Sequence, residues 1–107
     1  MISPDLQKKI DSFNLGLDEI LNCVVKICRK HDVDHVYLFG SYAAGTARPT
    51  SDIDIVIKGG RDLEGLREEI ASIPTIKTID LFMYDQDMNP YLREDIDRYA
   101  IELPMKN

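Results

Sequence analysis

The chain has 107 residues, 44% of them hydrophobic and 30% charged, with a formal net charge of −6; that is the size and composition of one compact globular domain rather than a disordered, fibrous or two-domain protein. No apolar run approaches the ~20 residues a bilayer span needs, and "MISPDLQKKIDSF" carries charges from residue 5 onward with no apolar h-region, so a secretory signal is not expected and the cytoplasm is the default location. The acidic balance argues against direct nucleic-acid binding, which usually requires a basic face to neutralise phosphates.

At the start of the chain, Ser3-Pro4-Asp5 has the chemistry of a helix start, with an N-cap, a proline at the first helical position and an acid in the first turn. Apolar residues then recur at Leu6, Ile10, Phe13, Leu17, Leu21, Val24 and Cys28, every three or four positions. Asn14 and Gly16 interrupt that stripe, so a break at "NLG" is expected, followed by a helix from about 17 to 31. Core packing explains the stripe over 17–28; for 5–13 a core role and a partner-binding face both stand. Cys23 and Cys28 are five apart, rotated by roughly 140° on a helix, which is poor disulfide geometry, and free buried thiols are expected. Arg29-Lys30-His31 sits where cations complement the end of a helix dipole.

"HVYLFG" is a β-branched and aromatic run ending in glycine, hence a buried strand. "SYAAGTA" allows a turn or two of helix, and "ARPTS" reads as a loop. "DIDIVIKGG" alternates and ends in two glycines, which predicts a second strand. "RDLEGLREEIASI" places Leu63, Leu66, Ile70 and Ile73 on one face of a helix. "TIKTIDLFMYD" predicts a third strand. Asn89-Pro90 caps a last helix, with Tyr91, Leu92, Ile96, Tyr99, Ala100 and Leu103 expected inward until Pro104 stops it. The order, α, β, short α, β, α, β, α, predicts an α/β fold: a single domain over 1–107, with its core in about 17–103, built on a small mixed sheet of about three core strands packed against helices.

The chemistry lies in "FGSYAAGTARPTSDIDIVI". Side chains alternate along a strand, so Asp52 and Asp54 share one face while Ile53, Ile55 and Ile57 share the other. "TIDLFM" has the same cadence, which would put Asp80 on the side of Asp52 and Asp54. Three carboxylates converging raise one another's pKa unless cations intervene, and hard divalent cations such as Mg²⁺ suit oxygen ligands. A pair of such ions serves in-line displacement at phosphorus. Gly40 lets a phosphate approach the backbone, and Ser41, at the start of the short helix, offers a hydroxyl and unsatisfied N–H groups. A triphosphate site is the combined reading. Taken singly, a Gly-Ser turn, an Asp-x-Asp pair or Asp80 has an ordinary structural explanation; it is their order and placement that argue for the site. His31 and His35 flank the first strand, far in sequence from the carboxylates, and a surface or capping role is expected for both.

Gly40 and Ser41, followed after ten residues by Asp52 and Asp54 and an apolar residue, resemble the signature of the DNA polymerase β-type nucleotidyltransferase superfamily. The phrasing "GTARPTSDID" is similar to that of minimal nucleotidyltransferases, the MNT group, and the resemblance spans about residues 17–100. It implies a polymerase β-like nucleotidyltransferase fold and transfer of AMP from ATP to a hydroxyl with release of pyrophosphate. Asp52, Asp54 and Asp80 would be the catalytic and metal-binding carboxylates, with two Mg²⁺ ions, and Gly40, Ser41, Arg48 and Ser51 would bind the nucleotide. Many relatives carry arginine where Tyr42 stands, so Arg48 is the substitute phosphate contact. The chain is short for a separate acceptor domain, which points to a partner protein. Minimal nucleotidyltransferases resemble antitoxins paired with an HEPN ribonuclease toxin whose tyrosine they adenylylate, and an acidic surface suits a basic RNA-cutting partner. Glu94, Asp95, Asp97 and Glu102 on the last helix are a candidate contact face, or else a solvated one. The alternatives are a catalytically silent binding antitoxin, or a nucleotidyltransferase subunit acting on a small molecule or RNA end with a helical partner.

Overall fold

The computed structural model describes residues 16–48, 50–85 and 88–105. The helix start at Ser3-Pro4 and the stripe over 5–13 lie outside the described residues. Gly16 is the N-cap of α1 (Leu17–Lys30), in extended conformation, as the glycine in "NLG" leads one to expect. Asp18 and Glu19 in the first turn and Arg29 and Lys30 in the last complement the helix dipole. Four-residue spacing brings Ile20, Val24 and Cys28 onto one face, each 0% exposed, while Leu17 and Leu21 of the expected stripe are half-buried. Both cysteines are free thiols, Cys28 buried and Cys23 half-buried; burial pushes the Cys28 thiol up to about 11.

The remaining elements are β1 (Val33–Phe39), α2 (Ser41–Ala44), β2 (Ile53–Gly59), α3 (Leu63–Ala71), β3 (Ile79–Met83), α4 (Pro90–Tyr99) and β4 (Ile101–Glu102). They form a four-stranded mixed sheet in the order β3-β2-β1-β4. β2 is antiparallel to β1 and parallel to β3, with α3 as the crossover. Asp62 caps α3, its side chain accepting from the Gly65 N–H, and Asn89 caps α4 with Pro90 next to it.

One sheet face meets α1 and α3. Ile53, Ile55 and Ile57 from β2 join Val36 and Leu38 from β1, Leu66 and Ile70 from α3, and the α1 stripe in a single core. Ile79, Leu81 and Met83 pack against it from β3, so the alternation read from "TIDLFM" holds. The second face carries Asp54, Val56 and Lys58 on β2 and Asp80 and Phe82 on β3, in matched register. α4 lies over part of it: the Tyr84 hydroxyl donates to Asp97, 3.0 Å away, and Ile96 is 3% exposed.

The end of the chain departs from expectation. α4 stops at Tyr99 because Ala100 turns extended, with ψ 143°. Ile101 and Glu102 then pair with Leu38 and Tyr37 along the edge of β1, making a fourth strand. Tyr91 and Tyr99 are 80% and 60% exposed rather than inward: a helix at the margin of a sheet buries one narrow row, here centred on Ile96. Leu103 does pack on the core, but from beyond β4, and Glu102 belongs to the strand, not to an acidic helix face.

Candidate active site

β1 ends at Phe39, whose register partner is Asp54. Gly40 then takes φ 74° and ψ −150°, a backbone conformation that L side chains rarely adopt. A Cβ at Gly40 would run into the Asp54 carboxylate. The glycine is therefore required twice, to make the turn and to admit the carboxylate beside it. Ser41 opens α2, a single turn closed by Gly45 in the left-handed conformation, φ 76°.

Asp54 and Asp80 are register partners on adjacent parallel strands, so their side chains leave the same face as neighbours. Asp52 precedes β2 by one residue and is exposed, whereas Asp54 and Asp80 are half-buried. Burial raises the Asp54 pKa above its ordinary value, and the charges of Asp80 and then Asp52 add to the rise. That electrostatic coupling shows that the three carboxylates share one field, and a field of that sign attracts cations. Among the described residues no three carboxylate, imidazole or thiol side chains already close on one point. The aspartates thus present an open row of oxygens rather than a finished cage. Mg²⁺ is commonly held in that manner, by one or two carboxylates together with substrate phosphates, so the donor set fits the ion.

Arg48 and Ser51 have a local task. The Arg48 N–H donates to the Ser51 hydroxyl at 2.8 Å, and the Ser51 N–H donates back to the Arg48 carbonyl at 2.9 Å, which closes the loop leading into β2. Arg48 itself is exposed, and Ser51 borders a cleft of about 260 Å³ with Asp52 and Lys77. Lys77 escaped the sequence reading. Its ammonium donates to the Tyr42 hydroxyl at 2.9 Å and so ties the approach to β3 to the first turn of α2. The approaches to β2 and β3 are joined too, Ile53 donating to the Thr78 carbonyl at 2.9 Å. Nothing local in "TIKTID" marks Lys77 for this role, because its partner is 35 residues away.

A second cleft, about 380 Å³, runs between Phe39, Gly40, Ser41 and Ala44 on one side and Asp95 and Tyr99 of α4 on the other. The histidines stand apart from the carboxylates. His31 caps α1 and is nearly buried, its Nδ1 donating to the Arg61 carbonyl at 3.0 Å and its Nε2 3.2 Å from Glu69, so a capping role holds and a surface one does not. His35 is exposed and pairs with Glu102 at 2.9 Å.

The fold agrees with comparisons to known proteins. Residues 22–106 match the family described as polymerase beta, nucleotidyltransferase. A protein of Methanocaldococcus jannaschii named as a protein adenylyltransferase is 31% identical over 94 residues, spanning 83% of this chain and 99% of that protein. The crystal structure of a toxin–antitoxin with AMP-PNP is similar at TM-score 0.63 and 25% identity, over 80% of this chain and 73% of that one. A minimal nucleotidyltransferase structure is similar at TM-score 0.59 and 29% identity, over 81% and 92% of the two chains.

Proposed function

The chain belongs to the polymerase beta nucleotidyltransferase family, and from that premise we propose that it transfers AMP from ATP to a tyrosine hydroxyl of a cognate HEPN-type ribonuclease toxin, acting as its antitoxin. That the chain is a nucleotidyltransferase follows from the family; the donor, the acceptor and the metal are the proposal. The observation that carries it is the register of Asp54 with Asp80, with Gly40 set against Asp54. The name of the archaeal relative supports a protein acceptor, and the toxin–antitoxin with AMP-PNP supports both an adenine nucleotide and a toxin partner.

In this reading Asp52 and Asp54 would hold two Mg²⁺ ions and Asp80 would help to hold the second. When bound, divalent cations neutralise the triphosphate and the charge that develops on the acceptor oxygen. Gly40 and Ser41 seat the β- and γ-phosphates, and Asp80 orients the acceptor hydroxyl and accepts its proton. The acceptor oxygen bonds to the α-phosphorus as the bond from that phosphorus to the bridging oxygen breaks, and pyrophosphate leaves with the electron pair. Catalysis is then mainly positioning and charge neutralisation.

The test is the intact mass of the partner encoded beside this protein, after incubation with this chain, ATP and Mg²⁺. A gain of one or more AMP units is expected, absent with Asp52→Asn/Asp54→Asn. A stable complex with no mass gain would leave a silent binding antitoxin in its place.

A further inference from the structure

The cleft between α2 and α4 is lined by Gly40 and Ser41, the residues assigned above to the phosphates. Its volume of about 380 Å³ lies within the ~300–1,000 Å³ range of small-molecule sites. Its near wall is small, with Gly40 and Ala44, and its far wall carries the Tyr99 ring, 60% exposed at the last residue of α4. Asp95 lies one helical turn earlier on the same wall and is acceptor-only when ionised. An exposed ring beside an open slot, with a carboxylate at its edge, suits a flat heterocycle bearing an exocyclic amine. A larger depression of about 580 Å³ on α4, between Pro90, Arg93, Glu94 and Asp97, has carboxylates but no aromatic ring, and neither Gly40 nor Ser41 lines it.

We propose that this cleft is the nucleobase subsite of the donor nucleotide, with the base stacked on Tyr99 and its amino group directed to Asp95. The assignment rests on the nucleotidyltransferase reading above and extends it to residues outside the carboxylate motif. A base tethered through its ribose to phosphates at Ser41 has this slot within the same chain, and bases of any kind stack favourably on aromatic rings. Tyr99 thereby acquires a reason for its exposure that packing does not supply.

Titration calorimetry in the presence of Mg²⁺ tests the assignment, using ATP and inorganic tripolyphosphate as the two probes. Tripolyphosphate shares the phosphates and lacks the base. Tyr99→Ala is expected to weaken ATP about tenfold, in keeping with the loss of one stacked base, and to leave tripolyphosphate unchanged. Tyr99→Phe keeps the ring and should bind ATP as the parent does. Unchanged ATP binding by Tyr99→Ala overturns the subsite, as does equal weakening of both probes. Normal ATP binding with lost transfer to the partner overturns it too, assigning the cleft to the acceptor. If the parent protein binds neither probe, the triphosphate reading itself is what has failed.

Discussion

Asp54 shows how a single residue carries two opposing demands. Its side chain is drawn toward the interior by the strand that supplies Ile53 and Ile55 to the core, and burial, Asp80 and Asp52 all raise its pKa above the ordinary 3.8. Because the folded pKa exceeds the unfolded one, the folded state holds this proton more tightly. The resulting stabilisation is present at low pH and is lost as pH rises through the raised value, so ionised Asp54 strains the metal-free protein at neutral pH. Asp54→Asn should therefore raise the melting temperature of metal-free protein at pH 7, with a gain that shrinks as pH falls through the raised value and is gone below the ordinary 3.8, while transfer activity disappears. Mg²⁺ should raise the melting temperature of the parent and leave that of the variant unmoved. Calorimetry across pH checks both, and a variant that melts lower at pH 7 would show Asp54 to be a structural ligand instead. Glu69 has the opposite sign. Its hydrogen bond from Lys30 lowers its pKa below the ordinary 4.5, with His31 assisting, so its contribution is present above that value and lost as pH falls through the lowered one.

At the scale of elements, the site depends on α1 and α3 holding the apolar sheet face while the other face stays open. Leu66 of α3 is 0% exposed among Ile20, Val24 and the β2 isoleucines. Leu66→Ala should cost about 2–5 kcal/mol, read as a lower urea midpoint with little change in slope; a loss below about 0.5 kcal/mol would show that α3 repacks freely. The strands were legible because alternation is a local property: "DIDIVI" and "TIDLFM" each separate carboxylates from aliphatics without reference to any partner. The helix cap at Asn89-Pro90 and the helix start at Gly16 were legible for the same reason, being chemistry within a few residues. The fourth strand was not. Ile101 and Glu102 continue the apolar and acidic pattern of α4, and only pairing with the free edge of β1 makes them extended.

The whole molecule carries a net charge of −6, and among the described residues no helix is long and apolar enough to cross a membrane. If its partner is a basic ribonuclease, opposite fields should steer the encounter. The association rate, measured by stopped flow, is expected to fall on the order of tenfold between about 0.05 and 0.5 M salt. A rate indifferent to salt would remove the acidic surface from the docking account. Of the four acids expected to form one helix face, Asp97 accepts from Tyr84, Glu94 pairs with Arg98 and Glu102 with His35. Asp95 instead lines the cleft beside Ser41.

By itself the sequence determined the kinds of element, the side of each strand on which Asp54 and Asp80 emerge, and the glycine that must precede Ser41, because periodicity and backbone freedom act over a few residues. The tertiary structure decided which strands are neighbours, and hence that Asp54 faces Asp80 in register. It also decided that Lys77 reaches Tyr42, that Arg48 and Ser51 close their own loop, and that Tyr99 looks onto the Gly40 turn rather than into the core. Each of these joins chemistry to a choice of partner, and for most of them that partner lies tens of residues along the chain. Such a choice is made by what else the assembled sheet leaves exposed, which no stretch of sequence contains.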